Sequence, residues 1–214
     1  CEQWMPFTDT WPKPSHQAPL AADEPLADRW IANRSPEVAS LRQAHRRFLD
    51  RLFGEPARRA GRRRWGLKEV RLDARHAAYL HWLFPGARFL LLVRNPADAW
   101  ASYRGRGPWF LRWPDSLVEG PVAFGRMWAR LASDFHDLSG DAAFRLLRYE
   151  DLEAEVASIR AHTGLEVVAS PSSLRVERGQ AEVRRPGRPG WWERRRLAAA
   201  TAGARHVLGY GEHG

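Results

Sequence analysis

The side chains with the clearest chemical potential lie in residues 89–106, FLLLVRNPADAWASYRGR. An apolar run ends directly on Arg94, and Ser102 follows eight positions later. A guanidinium can hold a phosphate through two parallel hydrogen bonds, and a hydroxyl can donate one more. The pair therefore predicts an anion site. The alternative is a surface salt bridge for Arg94 and a solvated Ser102.

The elements around Arg94 are those that would position such a site. Residues 88–93 are predicted to form a strand that is apolar on both faces, as in a central strand of a parallel sheet covered on both sides. Ligands of such sheets lie beyond the carboxyl ends of the strands. Asn95 and Pro96 are typical of a helix start, and Asp98 falls where it can bond back to the Asn95 amide. Ser102 would share the face of this entry, on the order of 10 Å along the axis.

Hydrophobic periodicity and turn signals predict the other elements. A first helix begins at Ser35-Pro36 and ends at Gly54-Glu55-Pro56. Further helices are predicted over 73–84 with Asp73 as cap, 122–138, 152–163 with Gly164 as C-cap, and 191–207, and strands over 65–70 and 144–148. Because strands alternate with helices, the fold class is α/β, with a central parallel sheet flanked by helices. We expect a single domain over residues 1–214, with the proline-rich residues 1–34 as an irregular lid or loop.

Composition narrows the classes of function. The chain has 214 residues, a formal net charge of +9 and one cysteine, Cys1. A single thiol excludes an internal disulfide and metal sites built on several cysteines, and it favours a reducing, cytoplasmic location. No apolar run is long enough to span a membrane. The positive field favours anionic ligands, either a phosphorylated nucleotide or nucleic acid.

Four stretches in the same order resemble one family. FLLLVRNPADAWASY resembles the 3′-phosphate-binding segment of sulfotransferases that use 3′-phosphoadenosine-5′-phosphosulfate (PAPS). WGLKEVR (65–71), RLLRYEDL (145–152) and RRPGRPGWW (184–192), the last followed by LGY (208–210), resemble further elements of its bacterial and carbohydrate-type members. The resemblance covers roughly residues 61–212. It implies a P-loop-NTPase-like sulfotransferase fold, with Arg94 and Ser102 at the 3′-phosphate.

The resemblance also implies a reaction and roles for individual residues. The family moves a sulfuryl group in line from PAPS to an acceptor hydroxyl or amine, leaving 3′,5′-adenosine bisphosphate (PAP), and requires no metal. Glu69 is then the candidate general base, with Lys68 as its electrostatic partner. The other nucleotide-binding candidates are Tyr149 near the adenine and Arg184, Arg185 and Gly187 around the 3′-phosphate.

Each of these assignments has a structural alternative. Glu69 could form a salt bridge with Arg71, in which case His76 is a reserve base. Tyr149 could be a core tyrosine, and the 184–187 segment an arginine-rich surface loop. The aromatic residues after the third helix could line an acceptor pocket or cover the core; they are Trp109, Phe110 and Trp113.

One departure from the family pattern is large. Family members hold the 5′-phosphosulfate in a Gly/Ser/Thr-rich loop between a first strand and a helix, whereas no glycine precedes Gly54 in this chain. We therefore expect this loop and strand to lie upstream of Cys1, and the chain as given to be a poor or inactive sulfotransferase.

Two other functions remain open at this point. The charge and the tryptophans allow a non-catalytic nucleic-acid-binding module, but the arginines are scattered and not aligned along one element, so we expect no nucleic-acid partner. A phosphotransferase of similar layout is a third possibility, although no G-x-x-x-x-G-K-[ST] stretch occurs. The class of acceptor stays open.

Overall fold

The computed structural model describes residues 38–104, 118–166 and 189–211. The chain divides into two compact units, Cys1–Leu67 and Lys68–Gly214. The predicted lid over residues 1–34 and the predicted helix start at Ser35-Pro36 lie outside the described residues. The expectation of a single domain stays a prediction.

The first unit is helical beyond the point where the sequence predicts a stop. Helix α1 (Val38–Leu49) continues into a π-helical turn (Asp50–Gly54) and then into helix α2 (Glu55–Arg59). The prediction that Gly54-Glu55-Pro56 ends the helix is wrong.

Two sets of ion pairs explain why the chain stays helical there. The Arg58 guanidinium donates to both carboxylate oxygens of Asp50 at 2.9 and 2.7 Å, and Glu55 pairs with Arg51 and Arg59, four residues away on either side. Gly54 leaves room for the first of these contacts, because a Cβ there would collide with the Asp50 carboxylate. Pro56 is the second residue of α2, directly after the π-helical turn.

The second unit has the predicted alternation of helices and strands. Its elements are α3 (Ala74–Leu83), β1 (Phe89–Val93), α4 (Pro96–Arg104), α5 (Gly120–Leu138), β2 (Phe144–Arg148), a 3-10 turn (Tyr149–Asp151), α6 (Val156–Thr163) and α7 (Trp191–Val207). Strands β1 and β2 pair in parallel, in register from Phe89 opposite Phe144 to Val93 opposite Arg148. The α/β class is therefore confirmed, as are the predicted caps Asp73 and Gly164.

The predicted strand over 65–70 does not form. A strand needs a hydrogen-bonded neighbour, but the carboxylate of Glu69 accepts the backbone N–H groups of Val70 and Arg71, at 2.8 and 3.1 Å. The segment also spans the boundary between the two units, and its first residue, Trp65, stacks on Phe53 within the first unit. Local side-chain contacts thus replace the sheet contacts that the apolar pattern predicts.

In the part of the chain that the structure describes, strand β1 is buried on one face and exposed on the other, and not covered on both as predicted. Leu91 and Val93 are buried, whereas Leu90 and Leu92 are 42% and 46% exposed. The buried face packs against α3 and α5: Leu91 clusters with Ala77 of α3, and Val93 with the apolar residues of α5.

The larger part of the core lies where α5 crosses α7. Phe124 and Trp128 of α5 pack with Leu197 and Ala204 of α7. Gly125 lets the two helices approach closely, because a Cβ at this position would lie 2.7 Å from the Cβ of Ala200.

This close approach makes Gly125 sensitive to any side chain. We expect Gly125→Ala to lower the free energy of unfolding by about 1–3 kcal/mol, the usual cost of overpacking a core. Gly203→Ala is the matched control in α7, because a Cβ there meets nothing within 4 Å and should be neutral or stabilise the helix by up to about 1 kcal/mol. Denaturant unfolding measures the free energy of unfolding of both variants. Equal changes in the two variants would contradict the close packing of α5 against α7 at Gly125.

Candidate anion-binding site

Arg94 lies directly after β1, at the carboxyl end of the sheet. Its guanidinium carbon lies 4.9 Å from the centroid of the Tyr149 ring, and its Nε is buried without a hydrogen-bond partner in the described part of the chain. A guanidinium stacked on a ring keeps its in-plane N–H groups available for an acceptor. The structure thus brings together two residues that the sequence assigns to one nucleotide site, Arg94 and Tyr149.

The start of helix α4 is capped partly as predicted. The Asn95 side chain accepts the N–H of Ala97 at 2.9 Å, which confirms Asn95 as the cap. The N–H of Asn95 itself donates to Glu150 Oε1 at 2.8 Å. The predicted bond from Asp98 to this amide is therefore wrong: the carboxylate comes from the turn after β2, which the parallel pairing places beside the end of β1.

The 3-10 turn after β2 connects this site to the end of α7. The second oxygen of Glu150 accepts the hydroxyl of Tyr210 at 2.9 Å. Arg148 donates to Asp151 Oδ2 at 2.6 Å and to the carbonyl of Gly209 at 2.8 Å. Burial, and then the contact with Glu150, raises the pKa of Tyr210 well above its usual value, so the hydroxyl stays protonated and donates.

For the other predicted site residues, the structure gives no described contact with Arg94. Ser102 is half-buried on α4, two turns after the helix start, so the Arg94 side chain would have to extend along the helix for both to reach one phosphate. Lys68 and Glu69 are exposed, with the Glu69 carboxylate bonded to its own backbone. Further predicted residues lie outside the described residues: Trp109, Phe110, Trp113, Arg184, Arg185 and Gly187.

Asp73 and His76 form a close pair in the first turn of α3. Asp73 is 5% exposed, and its Oδ1 lies 2.6 Å from Nδ1 of His76 and 3.1 Å from the backbone N of the same residue. This contact, together with the 3.4 Å distance from the backbone N of Asp73 to the same Nδ1, fixes the orientation of the imidazole ring. Burial alone would raise the pKa of Asp73, but the hydrogen bonds from His76 and Arg75 hold it below its usual value.

Helix α3 is oriented so that this pair faces the same edge of the sheet as Arg94. His81, near the end of α3, contacts the rings of Phe89 and Phe144 at the amino ends of the strands. Ala77, one turn earlier, packs against Leu91 in the middle of β1. The first turn of α3 therefore lies toward the carboxyl ends of the strands, where ligands of parallel sheets bind.

A basic cleft of about 260 Å³ runs between the start of α4 and one face of α7. Asn95 and Ala97 line one side, and Arg194, Arg195 and Arg205 line the other. None of these arginines is among the predicted site residues. The spacing of Arg194 and Arg205, about three helical turns on α7, was the signal that could have indicated a shared face.

The parallel strands and the flanking helices define an α/β protein, and Arg94, whose Nε has no hydrogen-bond partner among the described residues, marks a candidate anion site at the carboxyl edge of its sheet. A family model described as "Sulfotransferase family" matches residues 3–168, well over half of the 214 residues. The chain therefore belongs to the sulfotransferase family, whose general chemistry is sulfuryl transfer. No curated protein and no solved structure gives a significant match.

Two further observations concern other classes of site. Within residues 38–104, 118–166 and 189–211, no group of His, Cys, Asp and Glu side chains could hold a metal ion. Among the helices in these ranges, none has the length and apolar character needed to cross a bilayer.

The Asp73 contacts predict a pH-dependent contribution to stability. We expect Asp73→Ala to cost about 1–2 kcal/mol near neutral pH, where the carboxylate caps α3. Because the pKa of Asp73 is lower in the folded state, this contribution is present above about pH 4 and is lost as the pH falls through the folded-state pKa. Denaturant unfolding between pH 2.5 and 7 measures it.

The matched control for this prediction is Asp73→Asn, which keeps a capping oxygen but removes the charge. It should lose less stability at neutral pH than the alanine variant, because asparagine caps helices about as well as aspartate. Equal losses in the two variants would show that the cap is not what Asp73 supplies.

Proposed function

We propose that the protein transfers a sulfuryl group from PAPS to a hydroxyl or amine of an acceptor and releases PAP. The observation that carries this proposal is the Arg94 guanidinium, stacked on Tyr149 beyond the carboxyl end of β1. Membership of the sulfotransferase family supplies the reaction class. The pairing of an arginine with an aromatic ring favours a nucleotide with a terminal phosphate as the donor.

In this proposal Arg94 and Ser102 hold the 3′-phosphate, and Arg184, Arg185 and Gly187 complete its binding loop. Tyr149 is 50% exposed although Arg94 covers part of its ring. The remaining surface is available to a flat group such as adenine. The basic cleft beside α4 adds positive potential near the bound anion.

The transfer also requires a group that removes the acceptor proton and charge that stabilises the leaving phosphate. We propose Glu69 as the base with Lys68 as its electrostatic partner, on the resemblance of their segment to the family. His76 is the competing candidate, because the buried Asp73 fixes the orientation of its ring through Nδ1.

The donor-binding role of Arg94 can be tested without the acceptor. We expect Arg94→Ala to weaken PAP binding by about 1.5–3 kcal/mol, the contribution of hydrogen bonds to a charged group. Arg88→Ala is the matched control, because this exposed arginine lies just before the amino end of the same strand. Isothermal titration calorimetry with PAP provides the measurement. Absence of PAP binding by the unmodified protein would refute the proposed donor.

The two candidate bases can be separated by matched substitutions. We expect Glu69→Gln to lower kcat by about 100-fold or more while the Kd for PAP stays unchanged, since loss of a general base affects proton transfer and not donor binding. His76→Gln is the comparison. Single-turnover transfer by the full-length protein to a phenolic or carbohydrate acceptor measures both, and a larger loss in the His76 variant would assign the base to His76.

A further inference from the structure

The peptide group that joins Arg94 to Asn95 is held at both of its polar ends by side chains. Its carbonyl accepts the indole N–H of Trp128 at 3.0 Å, and its N–H donates to Glu150 at 2.8 Å. The Cα of Arg94 is directly bonded to this peptide group, so contacts that hold the group also restrict the backbone from which the Arg94 side chain starts. Two long-range hydrogen bonds therefore fix the backbone at the point where the Arg94 side chain leaves the end of β1.

The two side chains that hold this peptide group are joined through Tyr210. Its hydroxyl donates to the second oxygen of Glu150, and its ring meets the Trp128 ring edge to face, with the centroids 6.0 Å apart. The Arg148 guanidinium carbon lies 5.5 Å from the centroid of the Tyr210 ring. Trp128, Glu150 and Tyr210 thus form a closed set of contacts around one peptide group, which we call the peptide clamp.

Glu150 also fixes the ring on which Arg94 rests. Tyr149 and Glu150 are neighbours in the single 3-10 turn after β2, so the contact from Glu150 to Asn95 holds this turn against the start of α4. The described hydrogen bonds to Glu150 come from the Asn95 amide and the Tyr210 hydroxyl, both neutral donors. No described hydrogen bond therefore joins Arg94 to this carboxylate.

We infer that Glu150 and Tyr210 are positioning residues that orient Arg94 for the 3′-phosphate of the donor, and that the turn after α7 is thereby part of the nucleotide-binding apparatus. The inference rests on the proposed function. It goes beyond the family match, because that match ends at residue 168 and Tyr210 lies after it. A binding group must be held to within about 0.5 Å of its productive position to reach full strength, which is the role assigned to the peptide clamp.

Glu150 could also have the opposite effect and weaken phosphate binding, and the two effects predict different results for its removal. A carboxylate near a phosphate repels it, so a Glu150 that competed with the ligand would weaken binding. Removal of the carboxylate would then strengthen PAP binding, whereas removal of a positioning residue weakens it. The sign of the change decides between the two.

The experiment compares PAP with 5′-AMP, which lacks the 3′-phosphate, by calorimetry on the whole chain. In Glu150→Ala we expect the affinity for PAP to fall about 10-fold and that for 5′-AMP to fall less than 2-fold, as for one lost hydrogen bond to a charged group. Tyr210→Phe should reduce PAP affinity about 3-fold. Glu150→Gln should restore most of the loss, because its amide can accept from Asn95 and donate to the Tyr210 oxygen.

The matched control is Glu155→Ala, which removes a carboxylate that pairs with Arg145 in the same unit but makes no described contact with Arg94. It should leave the ratio of the PAP and 5′-AMP affinities unchanged. The positioning role would be overturned by an unchanged ratio in Glu150→Ala, by equal weakening of both ligands, or by tighter PAP binding. Failure of the unmodified protein to bind PAP would overturn the proposed donor itself and this inference with it. If Glu150→Ala does not fold, the ratio in Tyr210→Phe decides.

Discussion

The parallel pairing of β1 with β2 is the constraint on which the site depends. Because Val93 lies opposite Arg148, the residues that follow them, Arg94 and Tyr149, leave the sheet at the same edge. An antiparallel pair would place them at opposite edges. One register therefore juxtaposes a charged group and an aromatic ring that are 55 positions apart in the chain. The same register lets Glu150 reach the amide of Asn95, the residue before α4.

The local parts of this arrangement were predictable from the sequence. The bounds of β2 and α7, the cap at Asp73 and the position of Arg94 at a strand end follow from hydrophobic period, capping residues and an apolar run, which are all encoded within a few neighbours. The contacts of Glu150 and Trp128 with the peptide group after β1 were not predictable in this way. Each of them joins residues more than 30 positions apart, and no local pattern specifies such a pair.

Two of the failed predictions, the strand over residues 65–70 and the end of the first helix at Gly54, share a physical cause. In both segments, side-chain contacts with nearby residues stabilise a backbone conformation other than the one that the sequence pattern predicts. Glu69 takes the amides that a strand would use, and the ion pair between Asp50 and Arg58 spans the glycine that was expected to end the helix. Glycine in fact favours this contact, because it leaves space for the carboxylate.

The charged side chains at the carboxyl edge of the sheet are of two kinds: some are paired with protein groups, and others have hydrogen-bonding atoms without a partner in the described residues. Glu150, Asp151 and Arg148 use their charges on protein partners, which fixes the backbone. Within the described residues, Arg94 Nε has no hydrogen-bond partner, and the ring of His76 lies at the same edge with its Nδ1 held by Asp73. A binding site for a reacting anion requires both kinds of group, because a charge that is to act on a ligand must be held in place by contacts that do not neutralise it. In this chain, neutral donors and an aromatic ring supply those contacts for Arg94.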